Sequence, residues 1–235
     1  MGEHTVTSFD EELEHIDQLI RDMGGIAAVM VGDAIHALLG SDNALAQRVV
    51  SDDMLMDAKQ RELDDRAITL IAKRQPMAQD LRAVVGAIRM AGDLERIGDL
   101  AKNIAKRVSA VGQGTAPRNL SHGIDAMSEL VLDQVRGVVD HYVARDAEAL
   151  SELRADDQKI DVKYTSVFRE LLTYMMEDPR NITACTHLLF CAKNLERIGD
   201  HVTNIAENAY YVVTGEQLPA NRPKLDETVL AVMAE

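Results

Sequence analysis

Four pairs of acidic residues stand four positions apart in this chain: Asp53 and Asp57, Glu95 and Asp99, Asp157 and Asp161, Glu196 and Asp200. On a helix, residues four apart face the same way, so each pair sets two negative charges side by side. That arrangement is unfavourable without a compensating cation. A solvated acidic face is the bland explanation in a chain of net charge −14. Two features weigh against it. Helices joined by a short loop run antiparallel, so residues equidistant from the loop lie opposite each other. Asp53 and Asp99, like Asp57 and Glu95, are equidistant from Pro76; Asp157 and Asp200, like Asp161 and Glu196, are equidistant from the Asp178–Pro179 step. At ~100° per residue, Glu95 and Asp99 also project within about 40° of Leu81, the direction of Val85 and Ile88. Glu196 and Asp200 stand in the same relation to Ile182 and Leu189. The acids therefore point at a helix–helix seam.

Four carboxylates converging at a seam repel, which calls for raised pKa values or a bound cation. Oxygen-only donors favour hard ions such as Mg²⁺, Mn²⁺, Ca²⁺ or iron over a thiolate-type zinc site, and each cluster has donors for more than one ion. The alternative is ion pairing with neighbours such as Arg96 and Arg197. Asn103 and Asn204, one turn beyond the acids, are candidate extra ligands. Gly98 and Gly199 lack a Cβ and leave room for a metal or for a neighbouring helix. Arg89, Arg96, Lys102 and Lys106 could attract phosphate, but balancing the acids is the stronger reading.

The elements that must position these acids are all helical. Hydrophobic residues make up 46% of the 235 positions but aromatics only 3%, without a Trp. Ala, Leu, Ile, Val and Met supply the bulk, which suits long helices packed side by side. Helices are predicted over 8–39, 42–74 and 76–111, and again over 118–145, 146–177 and 180–213. Gly40-Ser41-Asp42 offers a C-terminal glycine followed by N-cap candidates, and Asp146 is a capping candidate. Pro76 suits the first turn of the third helix, and Pro179 opens the last. Gly24-Gly25 predicts a kink or a close packing contact. The Gly-rich stretch Ser109–Arg118, closed by Pro117, marks the boundary between two halves, and an irregular tail with Pro219 and Pro223 follows Gly215.

The halves repeat each other. Asp93–Ala105 aligns with Asn194–Ala206 at an offset of 101, identical over Leu-Glu-Arg-Ile-Gly-Asp and again over Asn-Ile-Ala. Asp52-Asp53 and Asp57 align with Asp156-Asp157 and Asp161 at an offset of 104. A repeat of this length indicates internal duplication, hence an all-α protein of two tandem three-helix bundles over 8–111 and 118–215, with an irregular tail over 216–235.

Composition also excludes. Nucleic acid carries dense negative charge, so so acidic a chain without aromatic platforms is not expected to bind it. Cys185 and Cys191 form neither a CxxC nor a disulfide framework and read as small core residues in a reducing compartment. No basic-then-apolar leader and no uninterrupted apolar run of the ~18 residues that span a bilayer is seen, so a cytoplasmic protein without membrane insertion is expected. Glu12-x-x-His15 has no copy in the second half, unlike the paired Glu-x-x-His of di-iron enzymes. Phosphate-loop and nucleophile-elbow motifs are missing. The seven histidines are scattered; His201 adjoins Asp200 but its counterpart is Leu100, so a role local to one half is expected. No catalytic residue is assigned.

Leu94-Glu-Arg-Ile-Gly-Asp99 and Leu195-Glu-Arg-Ile-Gly-Asp200 resemble the motif of the PhoU family, regulators associated with bacterial phosphate-specific transport. Gln75–Arg82, Asn204–Ala209 and Val213–Glu216 extend the resemblance across roughly residues 8–216. The resemblance implies two three-helix bundles whose E/D-x-x-x-D motifs bind multinuclear metal clusters (iron, Mn, Mg or Zn), with Asp53, Asp57, Glu95 and Asp99 in one and Asp157, Asp161, Glu196 and Asp200 in the other. It further implies a homodimer or higher homo-oligomer. Its expected role is negative regulation of phosphate uptake and of the phosphate-starvation response, through the sensor histidine kinase and the ATPase subunit of the phosphate ABC transporter. Asp53 and Asp157 stand where many members have Glu, a shorter reach. Asp161 to Glu196 spans 35 residues against 38 from Asp57 to Glu95, a difference the loop is expected to absorb. The competing reading is a metal-dependent enzyme, or a store of metal or phosphate.

Overall fold

The computed structural model describes the backbone of residues 2–112 and 120–218, and the side chains of 9–111 and 122–218. Among the described residues seven α-helices follow in order: α1 (Gly2–Gly40), α2 (Asn43–Arg74), α3 (Gln79–Ala105), the short α4 (Val108–Gly112), α5 (Leu120–Ala144), α6 (Ala147–Glu177) and α7 (Ile182–Thr214). Among the described residues there is no strand. Residues 113–118 of the expected boundary and 219–235 of the expected tail lie outside the described residues.

Local chemistry sets the helix ends. Asp42 caps α2, accepting from the backbone N–H of Ala44 and Leu45, and Asp146 caps α6 through the N–H of Ala149. Each capping aspartate follows a residue in the left-handed region, Ser41 (φ 54°) and Arg145 (φ 56°), so that conformation falls on Ser41 rather than on Gly40. Gly215, at φ 81°, terminates α7. Two expectations fail. Pro76 does not open α3: Gln75 and Ala78 both adopt positive φ, keeping 75–78 as a loop, and the helix begins at Gln79. The third helix also does not run to 111. It ends at Ala105, and the chain turns at Lys106–Arg107 into α4. Arg107 then reaches α7, where its guanidinium lies 4.3 Å from the centre of the Phe190 ring and 3.1 Å from Nδ1 of His187.

α2 packs against both α1 and α3, which also pack on each other, and α6 packs in the same way against α5 and α7. The halves join through α1 on α5 and α3 on α7, which leaves α2 and α6 on the outside. The apolar stripe Leu94, Ile97, Ala101, Ile104 and Val108 is buried, as is its copy Leu195, Ile198, Val202, Ile205 and Ala209. One continuous core runs through both halves. α1 from Phe9 to Gly40 is long and apolar enough to cross a membrane by length and composition, but its apolar face fills this core. Cys185 and Cys191 are buried and unpaired; burial pushes the Cys191 thiol up to about 12.

Close approach of the halves uses glycine. α1 runs unbroken through Gly24-Gly25, and a Cβ on Gly24 would lie 2.5 Å from a methyl of Val139 in α5. Close packing, not a kink, explains that glycine. A polar tie lies nearby: the buried Tyr142 hydroxyl donates to Asp17 Oδ1 at 2.5 Å, and Arg145 donates to Oδ2 at 2.9 Å. Burial, reinforced by the Asp17 charge, holds the phenol above its ordinary pKa, so it remains a donor. A hydrogen bond to a charged group contributes about 1.5–3 kcal/mol. Tyr142→Phe is expected to destabilise by that order, read as a lower urea midpoint with an unchanged slope.

Candidate metal seams and the groove between the halves

The first seam forms between α2 and α3. Lys102, one turn beyond Asp99, extends its ammonium to 2.5 Å from both Asp53 Oδ2 and Asp99 Oδ1. Asp53 and Asp99 thus meet across the seam as their equal distance from the loop requires. Arg96 adds contacts to Asp99 at 3.1 Å and to Glu95 at 3.5 Å. Burial raises the Glu95 pKa, and the charges of Asp99, Asp57 and Asp53 raise it further against Arg96, so all four acids share one electrostatic environment. Burial disfavours the Lys102 ammonium, but its bonds to Asp53 and Asp99 outweigh this and hold its pKa above the ordinary lysine value.

The second seam, between α6 and α7, has the same frame with different contents. Thr203 stands where the first half has Lys102. It is fully buried, and its hydroxyl has no hydrogen-bond partner. Glu196 Oε2 is likewise buried and without a partner, while Oε1 accepts from Lys193 at 2.7 Å. Burial raises the Glu196 pKa, Lys193 opposes, and Asp200 and Asp161 raise it again. Asp157 is buried, with Oδ1 3.2 Å from where a Cβ on Gly199 would stand.

Gly98 and Gly199 serve helix packing. A Cβ at Gly98 would lie 3.3 Å from Met56, and one at Gly199 2.9 Å from Ile160, the equivalent residue of the other half. The loop does not absorb the three-residue difference between the halves. Residues 75–78 and 178–181 are equally long connections, and the shortening lies in α6 and α7 themselves. Among the described residues, no three His, Cys, Asp or Glu side chains are gathered closely enough to hold a metal ion. The donor chemistry nonetheless separates the seams. Between α6 and α7, Glu196 Oε2 and the Thr203 hydroxyl are buried without hydrogen-bond partners. The first seam already holds a cation, its own lysine.

A cavity of about 860 Å³ lies elsewhere, between the halves. Arg89, Arg96 and Arg154 line it together with Tyr211. Its acids are engaged: Asp93 Oδ1 receives Asn204 at 3.3 Å and lies 2.9 Å from His201 Nδ1, while Glu207 pairs with Arg154 at 2.7 Å. His201 is therefore not local to one half, and Asn204 turns towards Asp93 on α3 instead of towards the carboxylates. The sequence held a signal for this groove. Asp93 faces Asn194 in the repeat alignment and His201 faces Leu100, and such breaks in the repeat mark where the halves touch each other. Glu12 and His15 do not act as a pair; they lie near Arg74 and Glu62 respectively.

Comparison with known proteins places this arrangement. The PhoU domain matches residues 20–108 and 124–209, one copy on each bundle. The chain is 56% identical over 225 residues to a phosphate-specific transport system accessory protein PhoU homolog of Rhizobium meliloti, covering 96% of this chain and 95% of that one. It is 49% identical to the homolog of Caulobacter vibrioides, with 96% and 98% covered. Among solved structures, PhoU from Pseudomonas aeruginosa superposes with a TM-score of 0.85 at 36% identity, over 88% of this chain and 100% of that one. The phosphate transport system regulatory protein PhoU from Streptococcus pneumoniae gives a TM-score of 0.81 at 27% identity, over 90% and 99%. Matched in both repeats and along nearly its whole length, the chain belongs to the PhoU family.

Proposed function

We propose that this chain is a cytoplasmic accessory regulator of a phosphate-specific transport system. In this reading it restrains phosphate uptake and the phosphate-starvation response when phosphate is plentiful. The observation that carries it is the near end-to-end similarity to relatives named as accessory proteins of that system. The partners proposed are the ATPase subunit of the phosphate ABC transporter and the sensor histidine kinase, bridged by a homodimer or higher homo-oligomer. The role is that of a binding protein rather than an enzyme.

Metal ions are proposed to complete the scaffold. Asp157, Asp161, Glu196 and Asp200 would supply hard oxygen ligands, and a cation there would neutralise the repulsion between α6 and α7. The outer helix of the bundle would then be fastened to the helix that carries the contact between the halves. A clean deletion strain tests the regulatory reading. Phosphate-uptake genes are expected to be expressed in high phosphate in its absence, and to be repressed again on complementation. Normal repression in the deletion strain counts against it.

A further inference from the structure

We propose that Lys102 takes the place of a metal ion in the first seam, so that metal binding is confined to the second seam, where Thr203 stands at the equivalent position. This rests on the metal part of the proposed function and departs from a symmetric pair of metal sites.

Register carries the first step. Glu95 to Lys102 and Glu196 to Thr203 are each seven residues apart, which at ~100° per residue places the later residue within about 20° of the glutamate. Lys102 and Thr203 thus enter their seams in the same direction. In the first half the entering group is a permanent cation, 2.5 Å from one carboxylate on each of two helices, with its side chain only 18% exposed. A metal ion binding there would have to expel the ammonium from both partners, and would meet a like charge while doing so. In the second half the entering group is neutral: the buried Thr203 hydroxyl, two helical turns beyond Glu196, has no hydrogen-bond partner, and neither has Oε2 of Glu196. Buried oxygens left without donors accommodate a hard cation.

The second seam also has a lysine, but of another kind. Lys193 approaches Glu196 from the rim, is 47% exposed, and has Gly92 as its counterpart in the first half. It can swing into water when a cation enters. Lys102 sits between two helices, and its departure would remove the one cation that Asp53 and Asp99 share, leaving Asp99 with Arg96 on its own helix.

The test compares the full-length wild type with Lys102→Thr and Thr203→Lys, purified from medium supplemented with iron and manganese. Metal per chain is measured by elemental analysis after dialysis. The wild type is expected to lose its metal on Asp200→Ala and keep it on Asp99→Ala. Lys102→Thr is expected to raise metal per chain about twofold, and Thr203→Lys to abolish it. After chelation, Lys102→Thr is expected to melt below the wild type, and added metal to restore it. Equal loss of metal on Asp99→Ala and Asp200→Ala, or unchanged metal in Lys102→Thr, overturns the proposal. Absence of metal from all five proteins overturns the metal reading beneath it, a separate outcome. Thr203→Lys keeps the test decisive if Lys102→Thr fails to fold.

Discussion

Valine at Gly24 or Gly86 is expected to destabilise the protein by about 1–3 kcal/mol each, the usual cost of overpacking a filled interface. In a protein of this size that lowers Tm by roughly 2–12 °C. Alanine at Gly25, one position from Gly24, is expected to stabilise by up to about 1 kcal/mol, because glycine is a poor residue in a helix interior. The opposite signs follow from where each glycine faces. A Cβ at Gly24 would lie 2.5 Å from Val139 Cγ2 and 3.1 Å from two further atoms of that valine. One at Gly86 would collide with Val212 of α7. Both contacts cross between the halves, and both target atoms belong to stiff β-branched side chains that have few rotamers into which to retreat. A Cβ at Gly25 would meet nothing within 4 Å. Thermal melts of the three variants decide the matter. Equal stabilisation at Gly24 and Gly25 would show that α1 is not seated on α5 in solution, and that the halves move as separate bodies.

The same contrast shows what the sequence could and could not convey. The glycine pair was visible, but which member faces a neighbour depends on the other half of the chain. Helix ends set by local chemistry were legible: Asp42 and Asp146 cap as their type and position require, and Gly215 stops α7. The turn at Lys106–Arg107 was not, because neither proline nor glycine marks it, and Arg107 is drawn to Phe190, 83 positions away. Pro76 misled, since the left-handed Gln75 and Ala78 keep it in a loop instead of the first helical turn. At the seams, two rows of acids meeting across an antiparallel pair follow from spacing alone, and the structure brings Asp53 and Asp99 onto one ammonium. That the ammonium is Lys102, and that Thr203 replaces it, could be read only once side-chain reach was known. Aligning the repeats displays the substitution but gives no reason to single it out among the other differences.

Glu196→Gln is expected to move two quantities in opposite directions: the chelated protein becomes more stable at neutral pH, while metal affinity falls. Glu196 lies on α7 among Lys193 and Asp200 of its own helix and Asp161 of α6. Burial is the leading cause of its raised pKa and outweighs the relief given by Lys193, and the charges of Asp200 and Asp161 add smaller contributions in the same direction as burial. A carboxyl whose folded pKa is raised binds its proton more tightly in the native state. Its stabilising contribution is fully present below the unfolded value, near 4.5, and is lost as the pH rises through the folded value. At pH 7 the ionised side chain therefore opposes folding of the metal-free protein. Glutamine keeps the shape and removes that charge, so its advantage should be present at pH 7 and shrink as the solution is acidified towards pH 4.5, where the wild-type carboxyl itself becomes neutral. The metal responds in the other sense. Removing an outer partner of a metal site already weakens binding by roughly 10–100-fold, and removing a charged oxygen donor should cost at least as much. Melting curves of chelated protein between pH 4.5 and 7.5, with a metal titration of the same samples, separate the possibilities. If Glu196→Gln lowered Tm at neutral pH, the Lys193 contact would dominate over burial and repulsion, and the seam would be an ion pair in its own right. Higher stability together with weaker binding would identify the seam as held under electrostatic tension that a cation relieves.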